Sequence, residues 1–166
     1  MATDINACFA RRRRSPIAIR DTVGRCASEV DPQSKLATPI HDHRILELTV
    51  NAAERTIRLR TAYPERTGPD FADVVFEDVE GYVFRGDALG TILFDIESVD
   101  AITLYREYAA EMQRAYANSG GHGPWAQSES SAEAFLASGE IRGYRLSSSI
   151  GLDGAIWARH LVIRNC

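Results

Sequence analysis

From Phe71 to Val99 the chain reads FADVVFEDVEGYVFRGDALGTILFDIESV, with apolar residues at every second position on either side of a charged interruption. A period of two sends alternate side chains to opposite faces of an extended backbone, so this stretch specifies sheet. Ile92, Phe94 and Ile96 alternate with Leu93, Asp95 and Glu97, which predicts a strand with the first set facing the core and the second facing solvent. Upstream, Val74, Phe76, Tyr82 and Phe84 share one parity with Asp78 and Glu80. One straight strand would bury two carboxylates at a high free-energy cost, so a bend, bulge or turn is expected around Glu77 to Gly81.

The same period runs through Arg44–Val50, where Leu46, Leu48 and Val50 oppose Glu47 and Thr49, and through Arg55–Ala62, where Ile57 and Leu59 oppose Arg58 and Arg60. Asn51 to Glu54 is short enough to make the pair an antiparallel hairpin. Pro64 to Asp70 reads as a loop and Gly86 to Gly90 as a turn. From Asp100 the period changes: Ile102, Tyr105, Ala109, Met112 and Tyr116 form a stripe on a helix of about 16 to 18 residues, capped by Ser98 or Asp100 and ended near Asn118 to Gly121. A short second helix is expected where Ser130 and Glu133 have capping-box spacing and Gly139 supplies a stop. Ile141–Ile150 and Ala155–Arg164 flank the turn sequence GLDG and predict a closing hairpin whose second arm is covered on both faces. The expected fold is α+β and mainly β: a curved, mainly antiparallel sheet of about six or seven strands, one long helix packed on it and the short second helix.

At 166 residues, with a 45% hydrophobic and 25% charged composition, the chain can bury a core without disulfides or metal. No apolar run approaches the ~20 residues of a membrane span. Cys8, Cys26 and Cys166 are scattered and odd in number, which argues against a disulfide framework or a zinc site and for a reducing cytoplasm. Residues 1–40 hold seven Arg or Lys against four acids, a balance of +3 that leaves twelve basic and nineteen acidic residues, or −7, beyond. Residues 1–39, with the run Arg11 to Arg14, read as a flexible basic leader, and 40–166 as one domain; Pro16 to Arg20 lacks the apolar region of an export signal. The acidic body is a poor match for nucleic acid and a better one for a basic protein.

Chemistry-bearing residues are sparse. His41 and His43, two apart on an extended segment, point the same way if the strand is regular, and His160 is a third weak candidate for a metal site. The plainer expectation is that they lie at the sheet rim. Asp95 and Glu97 share a strand face, a geometry that acid/base catalysis can use and that a solvated face produces equally well. Arg85-Gly86-Asp87 is turn chemistry, and the glycine-rich loop at 119–129 is no phosphate-binding loop. Trp125 within it either anchors a partner or pins the loop to the body. Ser147 to Ser149 has no nucleophile-elbow context, and no cofactor is expected. Glu77, Asp78, Glu80, Asp87, Asp95, Glu97 and Asp100 form an acid-rich group from which a negative patch can be built.

His41 and Asp42 before a strand, the alternating hairpin Leu46 to Leu59, Phe76 with Val79, and the strand Thr91 to Glu97 ending in acids together resemble small bacterial families of unknown function. Some members of such families look like immunity proteins of toxin systems. The resemblance spans about residues 40–100 and implies a β-rich fold and a non-enzymatic, partner-binding role. The expected function is a cytoplasmic protein-binding domain using Glu77, Asp78, Glu80, Asp87, Asp95, Glu97 and Trp125 against a basic partner. The alternative is an enzyme built on His41, His43 and His160 or on Asp95 and Glu97.

Overall fold

The computed structural model describes residues 40–63 and 70–165; the predicted leader with Arg11 to Arg14 and residues 64–69 of the predicted loop lie outside them. The elements are β1 (Arg44–Asn51), β2 (Thr56–Tyr63), β3 (Asp70–Glu77), β4 (Gly81–Arg85), β5 (Ile92–Val99), α1 (Ala101–Ala115), α2 (Glu129–Ser138), β6 (Arg142–Ile150), β7 (Asp153–Ala158) and β8 (His160–Asn165). All the strand pairs are antiparallel, in the order β4-β7-β6-β5-β1-β2-β3-β8. The α+β, mainly β reading holds, but the described residues form eight strands rather than six or seven.

The additional strand comes from Arg159. Ile156 and Ala158 belong to the interior cluster, and Leu161 and Ile163, which have the opposite parity, pack against it half-buried. Only an extra residue between them lets both pairs face inward, and Arg159 is that residue. The break expected around Glu77 to Gly81 is present: β3 ends at Glu77, β4 begins at Gly81, and Asp78 has a φ of 51°. The two breaks lie side by side. Glu77 pairs with His160 and Gly81 with Trp157, while the Glu80 N–H donates to the Trp157 carbonyl at 2.8 Å and the Arg159 N–H to the Glu77 carbonyl at 3.2 Å. The β3–β8 and β4–β7 ladders are therefore two halves of one ladder, and the sheet curls back on itself. Ile45, Ile57, Leu59, Val74, Phe76, Leu93, Ile96, Tyr144, Leu146 and Ile156 meet inside it. Outside, Leu104, Tyr105, Tyr108, Met112 and Leu136 of the two helices pack on Ala155 and Trp157. β7 is thus covered on both faces, as the sequence predicts for that arm.

Two strands depart from their predicted parity. In β1 the register with β2 shifts between Ile45 and Glu47, so Ile45 is buried while Leu46 is 56% exposed. In β5 the register with β6 shifts between Leu93 and Asp95, so Leu93 is buried and Phe94, expected to face the core, is 52% exposed. In each case one extra residue bulges from the ladder, and a bulge re-aims the side chain it carries.

Asp100 caps α1, its carboxylate accepting the Thr103 N–H at 2.8 Å; the helix has 15 residues, slightly fewer than expected. A short 3-10 turn, Ala117–Ser119, follows it, and Gly120 is left-handed at φ 69°. The α2 capping box uses Ser128 and Ser131 rather than Ser130 and Glu133. Glu133 instead pairs with Arg106 of α1 at 2.7 Å. None of the described helices is long and apolar enough to cross a membrane.

Candidate functional site

The site grows from the bulge in β5. Once Phe94 is the extra residue, Asp95 and Glu97 fall on the outer face, opposite Ser147 and Arg145 of β6, while Leu93 and Ile96 fill the interior. Phe94 stands out of the sheet with the His41 ring 4.7 Å from its own. On the neighbouring strand Ile150 is 64% exposed, and it pairs with Ile92, which in turn pairs with Arg44 of β1. Phe94, Ile92 and Ile150 thus make an apolar stretch across β5 and β6.

Carboxylates flank this stretch on the side nearer α1. Arg145 of β6 bridges the sheet to the helix, meeting Glu97 at 2.6 Å and Glu107 at 2.7 Å. Its hydrogen bond to Glu107, with the attraction of both acids, raises the guanidinium above its ordinary value. Further along, Arg85 of β4 lies 4.4 Å over the ring of Tyr108 and is paired with Glu111, while Asp153 of β7 is its cross-strand neighbour. Burial of Tyr108 pushes its phenol up. Asp95, Glu97, Glu107, Glu111 and Asp153 therefore share a face on which Arg85 and Arg145 are already engaged by acids. The five carboxylates outnumber these two arginines, so the face attracts an approaching basic group.

The sequence-predicted residues are distributed over several places. Asp95 and Glu97 belong to this face. Asp87 lies in the β4–β5 turn, where it accepts the Leu89 N–H at 2.8 Å, and Asp100 is the α1 cap. Glu77, Asp78 and Glu80 gather at the β3–β4 break, where Glu80 is only 13% exposed and is held by Arg55 at 2.5 Å and Arg159 at 3.4 Å. β7 and β6 separate β4 from β5, so these acids and those of β5 do not form one continuous patch. Trp125 stacks on Phe135, meets Tyr105 and Trp157 edge-on, and donates its indole N–H to the Glu80 carbonyl at 2.7 Å. It pins the glycine-rich loop to the body.

The histidines are not brought together. The left-handed φ of 64° at Asp42 turns the chain between His41 and His43. His43 is buried against Thr61 at 3.0 Å, while His41 is exposed and paired with Asp42 at 2.9 Å. His160 is exposed on β8, across from Glu77. Among the described residues no group of three His, Cys, Asp or Glu is placed to hold a metal ion.

Ile150, Glu107, Glu111 and Asp153 escape a sequence reading because only the tertiary fold brings α1, β6 and β7 to the face that carries Asp95 and Glu97. The one local signal was the doubled apolar choice Leu93-Phe94, since only one of two successive side chains can face the core. No protein-family model matches the chain, and a search of curated proteins returns no match.

Proposed function

We propose that this protein is a non-enzymatic binding domain, immunity-like in role, which holds a basic protein on the outer face of β5, β6 and α1. The observation that carries the reading is the bulge at Phe94. A strand that had only to fill the core would keep Phe94 inside; here it stands 52% exposed beside Ile150, at 64%, next to Asp95 and Glu97. Exposed apolar side chains rimmed by charge are the usual makeup of a protein-binding surface, with the apolar part supplying affinity and the charges orientation and rate. A basic partner fits the surplus of carboxylates on this face and the −7 balance beyond residue 40. The electrostatic half is tested by titrating the protein with labelled deca-arginine and deca-glutamate peptides at low and high salt. Salt-sensitive binding of the first alone, weakened by Asp95→Lys with Glu107→Lys, is expected. Equal binding of both peptides, or none at low salt, counts against a basic partner.

A further inference from the structure

The wall of the curled sheet is incomplete between β1 and β4. β1 pairs with β2 along its length, but on its other side it meets β5 only at its start, through the Arg44–Ile92 pair and the Ile45 N–H to Thr91 carbonyl bond at 3.0 Å. β4 pairs with β7 alone. From Leu46 onward β1 thus has one edge with no ladder partner among the described residues, and β4 has another. The connections turn these edges toward each other. β4 leads through the Gly86–Gly90 turn to Thr91, beside the start of β1, and the β1–β2 turn at the other end is bonded to Val79, just before β4. Apolar side chains line the gap: Leu48, Val79 and Phe84 are only partly buried against the interior, and Val50 and Tyr82 are 42% and 44% exposed.

The end of the gap at Val79 is held by a charged clasp. The Val79 N–H donates to the Arg55 carbonyl at 2.8 Å, Arg55 Nε donates to the Val79 carbonyl at 3.1 Å, and the guanidinium meets Glu80 at 2.5 Å. Arg55 sits in a left-handed conformation with a φ of 55°, which strains a long side chain, and Asp78 across the clasp is left-handed too at 51°, where aspartate is better tolerated. Such strain persists only where surrounding contacts hold it, and here those contacts run through Glu80, which also faces Arg159 at the β7–β8 break and gives its carbonyl to Trp125.

We propose that Arg55 and Glu80 form a latch that keeps the β1–β2 turn seated on the β3–β4 break, so that its release lets the turn swing out and opens the interior at Leu48, Val50 and Phe84. Hydrogen exchange by mass spectrometry on the full chain tests this with two variants. Glu80→Gln removes the charge, and Arg55→Ala removes the guanidinium while keeping a side chain in the left-handed backbone that the latch holds. In both, amides of 46–55 and 81–85 should exchange about tenfold faster, the scale of one lost charge-assisted hydrogen bond, while α1 and β6 keep their rates. The dye 8-anilinonaphthalene-1-sulfonate should gain fluorescence on both variants. Arg55 lies largely outside the core, so its variant preserves the comparison should Glu80→Gln not fold. Unchanged exchange in the two segments, or equal acceleration through α1 and β6, overturns the latch.

Discussion

Leu104 of α1 sits directly over Gly143 of β6: a Cβ at Gly143 would lie 2.8 Å from Leu104 Cδ2 and 3.0 Å from its Cβ. The helix approaches the sheet this closely because β6 offers no side chain there. Gly143→Ala should therefore destabilise the protein by about 1–3 kcal/mol through overpacking, read as a lower urea midpoint at unchanged slope. Adding Leu104→Ala to it should cost less than the two single changes summed, since the two sites share one space.

The Asp100 cap gives a prediction with a pH signature. Its bonds to the Thr103 N–H and hydroxyl lower the carboxyl below the ordinary aspartate value of 3.8. A group lowered in the folded state contributes stability that is present above its unfolded value and lost as pH falls through the folded one. Asp100→Ala should cost about 1 kcal/mol at pH 7, and the gap from wild type should close progressively below pH 3.8. A gap that stays constant down to pH 2 would argue that the carboxylate contributes little.

Trp125→Phe keeps the ring stack on Phe135 but removes the donor to the Glu80 carbonyl. A loss of about 1 kcal/mol is expected by thermal unfolding, since a part-buried carbonyl is left unpaired.

His43→Ala should lower stability by about 2 kcal/mol, because it empties buried space and leaves the Thr61 hydroxyl with fewer partners. His41→Ala, at an exposed position, should stay within about 0.5 kcal/mol of wild type. Equal effects at the two histidines would contradict the turn at Asp42 that sends them to opposite environments.

The regular parts of this fold were legible because periodicity reports burial wherever the backbone is regular. Ile57 and Leu59 face the interior, Tyr105 and Met112 face the sheet, and the charges at Asp78 and Glu80 correctly announced a break. Bulges were not legible at Leu46, Phe94 or Arg159. Each adds one residue where neighbouring parities are both apolar, as in Ile45-Leu46 and Leu93-Phe94, and alternation then cannot say which side chain leaves the core. Part of the candidate face was readable for the same reason: Asp95 and Glu97 declare themselves on one strand, whereas Glu107, Glu111, Asp153 and Ile150 join them only through the crossing of α1 and the pairing of β5, β6 and β7.

The most direct test of the binding role is a paired measurement on Phe94→Ser with Ile150→Ser. Both side chains are more than half exposed, so the double variant should unfold within about 0.5 kcal/mol of wild type. Immobilised wild-type protein should retain a basic protein from an extract of its source cells at low salt, and the double variant should lose at least about tenfold of that capture, the scale of a single interface anchor. Full capture by a stably folded double variant, or loss of capture only in step with loss of stability, would contradict the account.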